Sequence, residues 1–188
     1  DFVVYGAELP EKTLDDTYAI STIATGVIPQ YKQVPVIVLD SDVYDDQISP
    51  SSKAVMSWGA IYISREHTKK GNLLPLLTHE YTHTITQRVN RDNPAQWYTE
   101  GISEYTESIA LNEARRPQSE IDLDLFWDYR SNNNDWIVTS WNTDNSEKQI
   151  FAYDYSELLF KHKTRQNPEF MHQLFRDTTE GNIEINGE

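Results

Sequence analysis

A chain of 188 residues with a net charge of −14 is long enough to bury its own core and too acidic to hold a nucleic acid or an anionic membrane by charge. It has no cysteine, which removes any disulfide framework and any thiolate metal site. No apolar run approaches the roughly 18–20 residues of a membrane span, and the first residues lack the basic stretch of a signal peptide.

The chain opens on Phe2-Val3-Val4-Tyr5, short, apolar and β-branched, which reads as a strand closed by Gly6. Leu9, Leu14, Tyr18, Ile20, Ile23, Ala24 and Val27 then recur at helical spacing, which predicts a helix over about 9–28 with these residues inward. Val34 to Leu39 is apolar throughout and reads as a central strand, with Pro35 expected at its first position. Asp40 to Ser52 is polar and carries turn residues, so a solvated loop is expected. Ser57 to Ser64 reads as one further strand.

Gly71-Asn72 precedes a helix expected to run to about Val89, with Asn72 as cap, Pro75 in the first turn, and Leu73, Leu76, Leu77 and Ile85 as packing residues. Within it lies His79-Glu80-Tyr81-Thr82-His83. Residues four apart share a helix face, so the imidazoles of His79 and His83 can aim at one point. Glu80 stands about 100° from His79 and about 60° from His83, at the border of that face. Its carboxylate is too far round to be a third ligand, yet within reach of a water beside a metal. Two imidazoles, a nearby base and an open position are what a hydrolytic zinc site needs.

A third ligand is required, and a second helix beginning at Asn93-Pro94 offers Glu100, 17 residues after His83. Glu104 lies one turn further, placed to accept the spare ring N–H of a ligating histidine, with Glu107 as the alternative for either role. Ile102, Tyr105 and Ile109 would pack opposite these acids, and Gly101 would permit close packing beside them. Beyond Arg115-Arg116-Pro117 a short helix is expected over Ile121 to Tyr129, then a polar loop over 131–147 holding Trp136 and Trp141. Two last helices follow, Ile150 to His162 and Pro168 to Arg176, with a frayed tail from Thr178. The chain reads as one α+β domain over 1–188, an N-terminal α/β lobe to about residue 90 and a helical lobe after it.

His79-Glu80-Tyr81-Thr82-His83 followed by Trp97-Tyr98-Thr99-Glu100-Gly101-Ile102-Ser103-Glu104-Tyr105 resembles the gluzincin metallopeptidases, in particular the compact peptidase MA-like domains. Both strings are also similar to motifs of the bacterial collagenases. The resemblance covers about residues 75–110. It implies a zincin-like, thermolysin-like fold, one Zn²⁺ held by His79, His83 and Glu100, and Glu80 as general base. It also implies that the strand before the active helix lies at the sheet edge and pairs with an extended peptide, which assigns that role to Ala60-Ile61-Tyr62. The aminopeptidase branch carries a G-x-M-E-N motif on this strand, whose Glu grips a free α-amine. Gly59-Ala60-Ile61-Tyr62-Ile63 has no such Glu, which favours an endopeptidase. Related peptidases place a Tyr from the C-terminal helical lobe against the oxyanion, and Tyr153-Asp154-Tyr155-Ser156 matches that pattern. Tyr153 is the first choice, with Tyr155 and His162 as substitutes.

The expected function is therefore zinc-dependent hydrolysis of a peptide or protein substrate, outside the cell or in the cell envelope. The competing expectation is a zinc-containing peptide-binding module of a larger envelope protein that does not cut.

Overall fold

The computed structural model describes residues 2–28, 33–69, 71–89, 96–111 and 146–179. Among these, the protein is a mixed α+β structure with a four-stranded sheet and six α-helices. The strands are β1 (Phe2–Tyr5), β2 (Val34–Leu39), β3 (Ala54–Ser57) and β4 (Ala60–Ser64). The helices are α1 (Glu11–Thr25), α2 (Ser41–Gln47), α3 (Leu73–Val89), α4 (Gln96–Ala110), α5 (Ser146–Gln166) and α6 (Phe170–Thr179). The expected helix over Ile121 to Tyr129, the loop with Trp136 and Trp141, and the Asn93-Pro94 helix start lie outside the described residues.

The sheet order is β1-β2-β4-β3, with β1, β2 and β4 parallel and β3 antiparallel to β4. The continuous apolar run of β2 is explained by its place between two neighbours, as expected; Pro35 is its second residue, not its first. The expected edge strand Ala60-Ile61-Tyr62 requires correction, because β4 is flanked on both sides and β3 is the edge. The stretch read as one strand from Ser57 to Ser64 is the end of a hairpin. Ser57 pairs with Ala60, and the chain reverses through Trp58 (φ 49°) and Gly59 (φ 77°). Two successive positive φ values match the twist of a tight two-residue hairpin.

Alternation along the strands sets the two faces. Ala54 and Met56 pair with Ile63 and Ile61, and all four contribute to the core shared with α3. Leu73, Leu77, Tyr81 and Ile85, spaced four apart, are the face of α3 that meets them. Ile61, Ile63, Leu77 and Ile85 are almost wholly removed from water, each such side chain contributing about 1.5–3 kcal/mol.

Two further expectations change. The polar run after Asp40 forms α2, anchored by Tyr44, which is fully buried and whose phenol lies 2.9 Å from Ser52 Oγ just before β3. In α1 the buried residues are Thr17, Ser21 and Thr25, while Ile23 is exposed. A stripe of small hydroxyl side chains lets helices approach closely. Thr82 Oγ1 of α3 lies 2.7 Å from Thr78 O, 2.8 Å from Thr106 Oγ1 of α4 and 3.2 Å from Ser21 Oγ of α1. That shared cluster locks α1, α3 and α4 together with buried polar groups that have partners. Ile109, expected inward, is partly exposed.

Candidate metal centre

α3 and α4 pack side by side, and the site forms where they face each other. His79 and His83, one turn apart on α3, hold their rings 4.9 Å apart. Glu100 of α4 reaches both. Its Oε2 lies 3.4 Å from His79 Nε2 and 3.4 Å from His83 Nε2. These three residues form one group that could hold a metal ion.

The separations can be tested against the ion the donors would suit. A tetrahedral zinc with bonds of about 2.0–2.1 Å keeps its ligand atoms about 3.3–3.4 Å apart. Both contacts of Glu100 meet that spacing, and two nitrogens with one carboxylate oxygen are a donor set suited to zinc. Charge points the same way. Glu80, Glu100, Glu104 and Glu107 crowd around His79. Burial alone would lower the His79 pKa, but the hydrogen-bonding carboxylates of Glu100 and Glu107, with Glu80 and Glu104, carry it well above its ordinary value. Burial pushes Glu100 up, and its hydrogen bonds to His79 and His83 overcome this to bring it down to about 2. The pocket thus gathers carboxylates that favour positive charge at His79, and a bound cation would meet the same field.

The far side of each imidazole is also held. His79 Nδ1 lies 3.1 Å from Glu107 Oε2 and 3.6 Å from Glu104 Oε1. The first is a hydrogen bond and the second is too long for one, so Glu107, not Glu104, orients His79. Glu104 and Glu107 stand within about 60° of each other on one face of α4, and the packing of α4 on α3 brings Glu107 to His79. Burial, followed by the carboxylates of Glu107, Glu157 and Glu100, raises the Glu104 pKa against the pull of His79. His83 Nδ1 lies 3.3 Å from Ser103 Oγ, a fully buried hydroxyl that sequence reasoning passed over. Its only signal was its position, three residues after Glu100 on the inward side of α4.

Glu80 is buried, and the backbone N–H of Met56 on edge strand β3 donates to its Oε2 at 2.7 Å. Among the described residues β3 is the outer strand of the sheet on this side, and it runs beside the carboxylate next to the metal ligands. Ala60, Ile61 and Tyr62 are one strand further in, and it is Met56 that touches the site.

α5 closes another side. An added Cβ on Gly101 would sit 2.5 Å from Ser156 Cβ and 2.8 Å from a Phe160 ring carbon, so the missing side chain is what allows α4 and α5 to meet. Trp97 stacks on Phe160 at 6.3 Å and Tyr98 contacts both Phe160 and Phe175, so the aromatics before Glu100 fix the start of α4 in the core. Tyr153, on the same helix as Ser156, hydrogen-bonds Gln96. Burial raises its phenol pKa, and the carboxylates of Glu100, Glu104 and Glu80 raise it further. It stands two turns inside α5, not at its start. Tyr155 is half-buried, and His162 is exposed.

No helix among the described residues is long and apolar enough to cross a membrane. Comparison of the chain with models of protein families, with curated proteins and with solved structures finds no match.

Proposed function

We propose that the chain is a zinc-dependent peptidase of gluzincin type, with a zincin-like fold, that cuts within an extended peptide. The observation that carries this reading is the convergence of His79, His83 and Glu100 in one group, with the Glu100 carboxylate at tetrahedral ligand spacing from both imidazoles, Glu80 nearby and β3, the outer strand among the described residues, alongside.

His79 Nε2, His83 Nε2 and the Glu100 carboxylate would hold the ion. When bound, zinc supplies a Lewis acid and lowers the pKa of a coordinated water to about 7. The protein's own groups do the rest. Glu107 and Ser103 fix which ring nitrogen of each histidine faces the ion. The outward backbone groups of β3 other than the Met56 N–H, which Glu80 occupies, bind the substrate as an added strand and bring its carbonyls toward Glu80. Glu80 accepts a proton from the attacking water and returns it to the leaving amine, a role that typically contributes about 10²–10⁴-fold. The Tyr153 phenol, kept protonated by burial and neighbouring carboxylates, donates to the developing oxyanion. β4 has no Glu to grip a free α-amine, which supports cleavage away from the N-terminus.

Glu80→Gln separates cutting from binding. The variant should retain zinc and lose cleavage of an unstructured protein such as casein by at least two orders of magnitude. Cleavage at the wild-type rate would remove Glu80 as the base. Zinc binding by a wild type that never cuts would favour a binding module instead.

A further inference from the structure

The turn joining β3 to β4 is built from an unexpected residue. Trp58 has φ 49°, in the left-handed region that L side chains rarely adopt, and it is 84% exposed. Asn, Asp or Gly would satisfy this turn without strain. An outlier that combines backbone strain with an exposed indole is a reason to ask what the residue contacts in use.

The ring stands edge-on to Tyr62, with centroids 6.2 Å apart. Register fixes the face on which this happens. Val55 pairs with Tyr62, and Met56 with Ile61. Met56 and Ile61 face the α3 core, so Val55 and Tyr62 face the opposite side of the sheet. Both are half-buried. Trp58, Val55 and Tyr62 thus form an apolar surface on the outer face, continuous with the edge strand whose Met56 N–H touches Glu80.

A peptide added to β3 sends alternate side chains to opposite faces. One set faces α3 and the metal ligands. The other set passes over Val55, its cross-strand neighbour, with Tyr62 one strand further in on the same face and Trp58 at the turn that joins them. We propose that Trp58, with Val55 and Tyr62, is a specificity subsite that takes a bulky apolar side chain of the extended substrate on the sheet face away from the metal. This rests on the peptidase reading. The occupant is a strand of peptide because the patch is an extension of the one sheet edge that reaches Glu80.

The test uses the zinc-loaded chain and a cleavable peptide with a mapped cut site, in which each flanking position is set in turn to Phe or to Ala. Wild type should prefer Phe over Ala at one flanking position on the outward alternation. Trp58→Asn, whose side chain suits the turn, should melt no lower than wild type and lose about tenfold in kcat/KM on the Phe peptide, as expected for loss of one apolar contact. Its rate on the Ala peptide should stay within about twofold. Trp58→Phe should restore part of the preference. A wild-type enzyme that cuts, with the same Phe-to-Ala ratio in Trp58→Asn, would overturn the subsite and leave the peptidase reading standing. A wild type that neither cuts nor binds these peptides would overturn that reading, and the subsite with it.

Discussion

Gly101→Ala tests whether the α4–α5 contact shapes the site. The new methyl would meet Ser156 Cβ at 2.5 Å and the Phe160 ring at 2.8 Å. Carbon atoms normally approach to about 3.5–4.0 Å, so the helices must part by roughly 1 Å. Ser156 Cβ is attached to backbone and cannot swing away. Overpacking of this kind costs about 1–3 kcal/mol, while replacing Gly by Ala in a helix gains about 1 kcal/mol. The tight contact favours the upper end, for a net loss of about 2 kcal/mol, or a fall of about 4–8 °C in Tm for a chain of this size. Because α3 and α4 carry the ligands, zinc affinity should change little. Tyr153 rides on α5, and a displacement of about 1 Å at a catalytic group can cost about 10²-fold. Thermal unfolding followed by circular dichroism, with kcat measured on a peptide substrate, reads both effects. A variant more stable than wild type, with unchanged kcat, would refute the packing described for Gly101.

Glu107→Ala should weaken zinc binding about 10–100-fold by freeing His79, and Glu104→Ala should weaken it less; competition with a chromophoric chelator ranks the two. Tyr153→Phe should lower kcat by about 10²–10³-fold with Tm and zinc content unchanged; an unaltered kcat would exclude the phenol from the reaction. Thr82→Val keeps the shape but strips the hydroxyl shared with Thr106 and Ser21, and should cost about 1–3 kcal/mol in a urea titration. Removing zinc with a chelator should lower Tm, since a ligand at a thousand times its Kd stabilises the folded state by about 4 kcal/mol.

The part of the site that follows from local geometry was legible in the sequence. Four-residue spacing on a helix put His79 and His83 together, and the structure also brings Glu100 to them. What depends on tertiary packing was not. Glu104 and Glu107 share a helix face, and only the seating of α4 on α3 decides which meets His79. Ser103 carries no signal of its own. The hairpin was missed because its turn is Trp58-Gly59, which lacks the Asn-Gly or Asp-Gly signature, so Ser57 to Ser64 reads as one strand and the edge role that the resemblance implies fell on Ala60-Ile61-Tyr62 instead of β3. In α1 the apolar pattern was right for Leu14, which packs on the core, and wrong for Ile23; the fully buried positions are Thr17, Ser21 and Thr25, because close contact with α3 demands small side chains. α2 was hidden by its polarity, with Tyr44 as its only buried anchor.

Zinc stoichiometry in the purified chain bears on the central claim most directly. Metal analysis after dialysis against buffer with trace zinc should find one ion per wild-type chain, and much less in His83→Ala and in Glu100→Ala. Wild type that retains no zinc, or a Glu100→Ala variant that holds it as firmly as wild type, would contradict the assignment of these residues to one metal centre.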